Sequence, residues 1–177
     1  MTITKKVVIV DDTMFMRLTL KNMLQSFGLE IAGEGSNGHE AVKLYKRIKP
    51  DLITMDITMP QKDGLQAVKE IIAHDQQAVI IMVSAMGQKA KVVDAISAGA
   101  KDFIVKPFKQ ERIAEALKRV GIEVGDDKSS EEVTGQEEEV EGIDDKKEFK
   151  EAKVEKLEDD SGDKEKASEN DVQSTEK

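Results

Sequence analysis

Short runs of aliphatic and β-branched residues recur along the first two thirds of the chain, with turn or polar residues after each: Lys6–Val10, Glu30–Ala32, Leu52–Met55, Ala78–Val83 and Asp102–Val105. Runs of this length and composition read as strands. Between them the period changes. Met16, Leu20, Met23, Leu24 and Phe27 in the first interval, and Ala67, Val68, Ile71 and Ile72 in the third, recur at helical spacing and so line one helix face. Gly28 and Gly99 stand where a left-handed residue ends a helix, and Pro50 follows the lysine that closes the second one. The pattern is β-α repeated five times. Such alternation predicts a parallel sheet covered by helices on both faces and joined by right-handed crossovers, with the doubly apolar runs Val7–Val10 and Val79–Val83 at its centre. In a doubly wound α/β fold of this kind, ligands bind beyond the carboxyl ends of the strands, near the switch point.

Charge divides the chain. Residues 1–120 hold 18 basic and 14 acidic side chains, net +4, whereas residues 121–177 hold 9 and 22, net −13. Apolar residues divide the same way, 57 of 120 against 11 of 57, so only the first part has the content of a globular core. With no cysteine in the chain, disulfide staples and thiolate metal sites are excluded. The longest apolar stretch, Ala78–Val83, is far short of the roughly 20 residues of a membrane helix, and the first residues lack a signal-peptide core. A soluble cytoplasmic protein is expected, without membrane contact. The net charge of −9 argues against general nucleic-acid affinity.

Chemistry collects at the expected strand ends. Asp11 and Asp12 follow the first strand, Asp56 the third, Ser84 the fourth, and Lys106 with Pro107 the fifth. One aspartate after a strand is ordinarily a helix N-cap, but two adjacent acids serve one cap poorly. Three clustered carboxylates raise each other's pKa and need a positive partner. Lys106 is one candidate and a divalent cation the other; an all-oxygen site suits Mg²⁺ or Mn²⁺, and the absence of a nearby histidine argues against zinc. A cation beside an ammonium and a hydroxyl can receive a phosphoryl group, which leaves Asp56, the central carboxylate, as the candidate nucleophile.

The Asp11-Asp12 pair, Met55-Asp-Ile-Thr-Met-Pro60, Asp63-Gly64, Ser84-Ala-Met-Gly87 and Ala100-Lys-Asp-Phe-Ile-Val-Lys-Pro-Phe108 together resemble a response-regulator receiver domain, in wording nearest the chemotaxis (CheY) family of the Bacillus type. The resemblance spans residues 5–120. It implies a flavodoxin-like sheet of order 2-1-3-4-5, an order of which flavodoxin and CheY are standard examples, in a receiver domain over residues 1–121; the composition of residues 122–177 adds a disordered acidic tail. The resemblance further implies that Asp56 is the phosphoacceptor and that Asp11, Asp12, Asp56 and the backbone carbonyl of Thr58 hold Mg²⁺. Lys106 would contact the phosphoryl oxygens, Ser84 would move toward them, and Phe103 would follow inward. The Lys106–Pro107 bond is expected to be cis. Thr58 and Met86 would set the lifetime of the phosphoryl group. The implied partners are a histidine kinase as donor, the flagellar motor switch or another protein as output target, and a phosphatase. The protein would be a switch rather than an enzyme acting on another molecule.

Three rival readings compete with this one. A phosphorelay intermediate would pass the phosphoryl group to a histidine phosphotransfer domain. A metal-dependent phosphohydrolase would place an acid two residues after the nucleophile, where Thr58 stands. A flavin-binding fold would need hydroxyls and backbone amides in the turn that carries Asp11 and Asp12. The methionines read as core and loop packing, with Met14, Phe15 and Met16 close enough to the acid pair to border the site. His39 and His74 receive no role. The helix Gln110–Val120 presents a basic polar face with Lys109, Arg112, Lys118 and Arg119, and the fourth helix adds Lys89 and Lys91; an output partner would meet a receiver there. In the tail, acidic clusters leave too little apolar area to offset chain entropy. Lys146–Leu157 has some helical potential, and solubility is the preferred role over a proteolytic address or a cover for the basic helices. Removal of residues 122–177 is expected to leave phosphorylation intact.

Overall fold

The computed structural model describes residues 4–85 and 89–123. Met86 and the whole tail after Glu123, including Lys146–Leu157, lie outside the described residues. Ten elements alternate strictly: β1 (Lys6–Val10), α1 (Met14–Ser26), β2 (Glu30–Gly35), α2 (Gly38–Ile48), β3 (Leu52–Asp56), α3 (Gly64–His74), β4 (Ile80–Ala85), α4 (Lys89–Ser97), β5 (Asp102–Lys106) and α5 (Gln110–Arg119). All neighbouring strands run parallel, in the order β2-β1-β3-β4-β5.

Alternation along the strands creates two apolar layers. Val8, Val10, Ile53, Met55, Ile80, Met82 and Phe103 face α2, α3 and α4, whereas Val7, Ile9, Leu52, Ile81, Val83 and Ile104 face α1 and α5. The chain leaves β1 toward β2 and returns past it to β3, so the crevice between the carboxyl ends of β1 and β3 is the switch point.

The helix ends follow the expected chemistry. After α1 and α4, Gly28 and Gly99 take φ of +78° and +113°, and the next amide bonds back across the turn, Leu29 to Leu24 and Ala100 to Ala95. Lys49 closes α2 in the left-handed region at φ 48°, and Pro50 follows it. Asn37 and Asp63 cap the starts of α2 and α3 by accepting from Glu40 and Gln66 amides.

Several strands run past their apolar pattern. β2 continues through Gly35 rather than stopping at Ala32, and β3, β4 and β5 incorporate Asp56, Ser84 and Lys106 as ladder residues. β4 begins at Ile80, two residues later than its apolar run, because Ala78 is drawn into a turn by its amide bond to the Asp75 carbonyl. Among the described residues no helix is long and apolar enough to cross a membrane.

Candidate functional site

β1 ends by delivering Asp11 into the crevice, fully buried, with its amide donating to the Gly35 carbonyl at 3.1 Å. Neither acid of the pair caps α1. That position belongs to Thr13, whose side chain makes no cap bond; instead its amide and hydroxyl both donate to Asp11 Oδ1, at 2.9 and 2.5 Å. Arg17 Nη1 donates to the Asp11 carbonyl at 2.8 Å. Asp11 is thereby fixed from both sides, while Asp12 is exposed.

β3 supplies Asp56, buried, from the neighbouring strand. Oxygens of Asp11, Asp12 and Asp56 all lie within 4.8 Å of one another. From β5, two strands away on the far side of β4, Lys106 brings its Nζ to 2.7 Å from Asp11 Oδ2 and 3.3 Å from Asp56 Oδ1. The Lys106–Pro107 peptide bond is cis. Burial pushes the Asp56 carboxyl above the ordinary carboxylate range; the Lys106 ammonium opposes that shift and the Asp11 charge adds to it. One ammonium thus faces three carboxylates, which leaves the crevice short of positive charge. Three acidic donors with a water-accessible member make a hard-oxygen set that fits Mg²⁺ or Mn²⁺.

Ser84 reaches the same end of the sheet from β4. Its hydroxyl is buried and has no hydrogen-bond partner among the described residues, an uncommon condition for a polar atom inside a protein. Thr58, two residues past Asp56, is exposed. Phe103, the aromatic residue expected to move inward, already lies wholly buried among the residues beneath α4.

One feature escaped the reading of the sequence, and a second was read only as Met14, Phe15 and Met16 bordering the acid pair. Arg112 and Arg119 do not decorate a basic solvent face of α5. Both turn onto the buried Asp102, with Arg119 Nη1 at 3.2 Å and Arg112 Nη2 at 3.7 Å from Oδ1, and Arg112 also donates to the Phe103 carbonyl. Their spacing of seven, two helical turns on one face, was the available signal. The second is an apolar patch on α1 beside the acid pair: Met14 is 76% exposed, Phe15 74% and Leu18 52%. A Met-Phe-x-x-Leu spacing that misses the core positions Leu20 and Leu24 marks it in the sequence.

The response regulator receiver domain model matches residues 7–118. Over 116 residues the chain is 58% identical to the chemotaxis protein CheY of Thermotoga maritima, covering 66% of this chain and 97% of that one. It is 55% identical over 114 residues to CheY of Bacillus subtilis, covering 64% of this chain and 95% of the relative. Among solved structures, the CheX-CheY-BeF3-Mg+2 complex from Borrelia burgdorferi superposes with a TM-score of 0.64 at 36% identity, over 67% of this chain and 90% of that one. A sheet of order 2-1-3-4-5 with acids, hydroxyl and ammonium gathered at its switch point is what such a domain would look like from its residues upward, and the chain belongs to the response regulator receiver domain family.

Proposed function

We propose that the protein is a phosphorylation-controlled switch of bacterial-type chemotaxis, in which a histidine kinase donates a phosphoryl group to Asp56. The observation that carries this reading is the buried Asp56 carboxylate held 3.3 Å from the Lys106 ammonium within a cluster of three acids. Asp11, Asp12, Asp56 and the carbonyl of Thr58 would hold Mg²⁺. That ion supplies charge neutralisation at the phosphoryl oxygens.

The chain's own residues do the rest. An Asp56 carboxylate oxygen bonds to phosphorus as the phosphorus–nitrogen bond to the donor imidazole breaks, and the imidazole leaves with the electron pair and takes up a proton. Lys106 offsets the negative charge brought to the crevice. The unpartnered Ser84 hydroxyl has a hydrogen to give to a phosphoryl oxygen. Incubation with acetyl phosphate and Mg²⁺ is expected to add one phosphoryl group, mapped by peptide mass spectrometry to residues around Asp56; a modification elsewhere, or none, would overturn the assignment.

The apolar patch on α1 supports a protein as donor, since Met14, Phe15 and Leu18 stand beside the acids and offer a surface that a small phosphodonor does not need. Phe15→Ala is expected to slow phosphotransfer from a histidine kinase about tenfold, the scale of one interface anchor, while labelling by acetyl phosphate stays unchanged. Equal slowing with both donors would show that Phe15 supports the crevice rather than a docked partner. The chemotaxis names of the relatives support the flagellar motor switch as output target, and the Borrelia complex supports a further protein partner, here a phosphatase.

A further inference from the structure

Away from the acid crevice, the outer surfaces of α2 and α3 meet in a shallow groove lined by His39, Lys43, Lys46, Arg47, Lys62 and Glu70 over the buried Val42. Four fixed cations share one carboxylate. Lys46 donates to Glu70 Oε1 at 3.1 Å and Lys62 to Glu70 Oε2, and these two ammoniums hold the Glu70 carboxyl below its ordinary range. Among the described residues, Lys43 and Arg47 have no acidic partner, and both are exposed. The other nearby acids are engaged: Glu40 accepts from the Ser36 amide at 2.7 Å, and Asp75 from the Tyr45 hydroxyl at 2.8 Å. Nothing in the proposed phosphoryl chemistry uses this groove.

The chain carries a segment of matching chemistry. Residues 131–145 contain eight acidic side chains and no basic one, whereas residues 146–177 mix eight lysines with eleven acids. The negative charge that could act on a basic surface is therefore concentrated in one stretch that begins eight residues after Glu123, the last described residue. Eight residues span up to about 27 Å when extended, and fourteen as a coil about 20 Å, on the scale of the domain itself. Reach does not restrict the choice of surface, so charge decides it. On the α4–α5 side, Lys91, Lys101, Lys109 and Lys118 are spread over separate segments with Asp94 and Glu111, while Arg112 and Arg119 are turned onto Asp102 and Glu115 pairs with Arg119 at 3.7 Å. The α2–α3 groove differs in that four cations converge on one concave surface, with one carboxylate among them.

We propose that the acidic segment 131–145 docks in cis on the basic groove between α2 and α3, with Lys43 and Arg47 as its principal contacts. Tethering presents the segment at an effective concentration of order millimolar, so weak pairwise contacts suffice. Ordinary salt screens exposed charges beyond about 10 Å, so the docked fraction must fall with ionic strength.

The absence of cysteine makes a clean test possible. A nitroxide attached to Gln136→Cys in the full-length, isotope-labelled protein should broaden the amide resonances of α2 and of Lys62 at low salt. Raising NaCl to ~0.5 M, where the screening length is only a few ångströms, should reduce the broadening several-fold, and Lys43→Glu with Arg47→Glu in the same full chain should do likewise. Broadening centred on α4 and α5, uniform broadening, or none would overturn the proposal. So would equal broadening when spin-labelled unenriched protein is mixed with unlabelled isotope-enriched protein, because that places the segment on a second copy.

Discussion

Alanine in place of Gly64 is expected to destabilise the fold by about 3 kcal/mol, within the range for overpacking against rigid neighbours, and to abolish phosphoryl labelling. A Cβ on Gly64 would lie 2.0 Å from the Asp56 carbonyl oxygen and 2.9 Å from its carbonyl carbon, with Ile57 Cα at 3.1 Å. These are backbone atoms, so no side-chain rotation relieves the overlap. The close approach is enforced from both directions: the Gly64 amide donates to the Ile57 carbonyl at 2.9 Å, and Asp63 caps α3 by accepting from the Gln66 amide at 2.8 Å. Either the start of α3 retreats or the end of β3 does. The second path moves Asp56 away from Lys106 and Asp11, and the first withdraws the support beneath it. Gly28→Ala is the matched comparison, since that site has open space but a φ of +78°; it should cost about 1 kcal/mol and leave labelling intact. Urea unfolding together with acetyl phosphate labelling reads both effects. Normal stability with normal labelling in Gly64→Ala would show that the crevice tolerates displacement of its floor.

The same crevice explains where the sequence was legible and where it was not. Existence and order of all ten elements follow from the change of hydrophobic period, because the two sheet faces are apolar and each helix covers one of them. Strand ends were harder. Asp56, Ser84 and Lys106 interrupt the apolar pattern but not the hydrogen-bond ladder, in which they stand opposite Val83, Val105 and Ala85. A reading based on hydrophobicity therefore stops one residue before each group that carries chemistry. β2 fails for a different reason: Gly33 and Gly35 contribute no apolar side chain of their own, and Leu44 and Ile48 from α2 fill the space above them. The acid cluster was visible because the third strand is expected beside the first only if the sheet is doubly wound. The Asp102 clamp was not, since a lone aspartate opening a strand gives no hint that two arginines from a later helix will converge on it.

Asparagine at position 56 is expected to stabilise the metal-free protein at neutral pH, by on the order of 1 kcal/mol, a usual scale for one substitution, or ~4 °C in Tm for a domain of this size. Burial, with the Asp11 charge behind it, raises the Asp56 carboxyl in the folded state above its ordinary value of 3.8. The folded protein therefore holds this proton more tightly than the unfolded chain. The resulting stability is fully present below the unfolded pKa and is lost as pH rises through the raised folded value. Above that raised value the wild type has lost it, whereas the amide, close in shape to the protonated acid, has not. The advantage of Asp56→Asn should accordingly shrink as pH falls toward 4 in EDTA buffer, where the ordinary carboxyl begins to bind its proton. Mg²⁺ should reverse the ranking: a cation bound only by the folded wild type adds about 2.7 kcal/mol at one hundred times its Kd, while the variant lacks one of the three charged donors. Thermal melts of the two proteins at pH 4 and pH 7, with EDTA or Mg²⁺, test each step. A wild type more stable than Asp56→Asn in EDTA at pH 7 would mean that Lys106 more than compensates the cluster, and an equal response of both to Mg²⁺ would place the cation elsewhere.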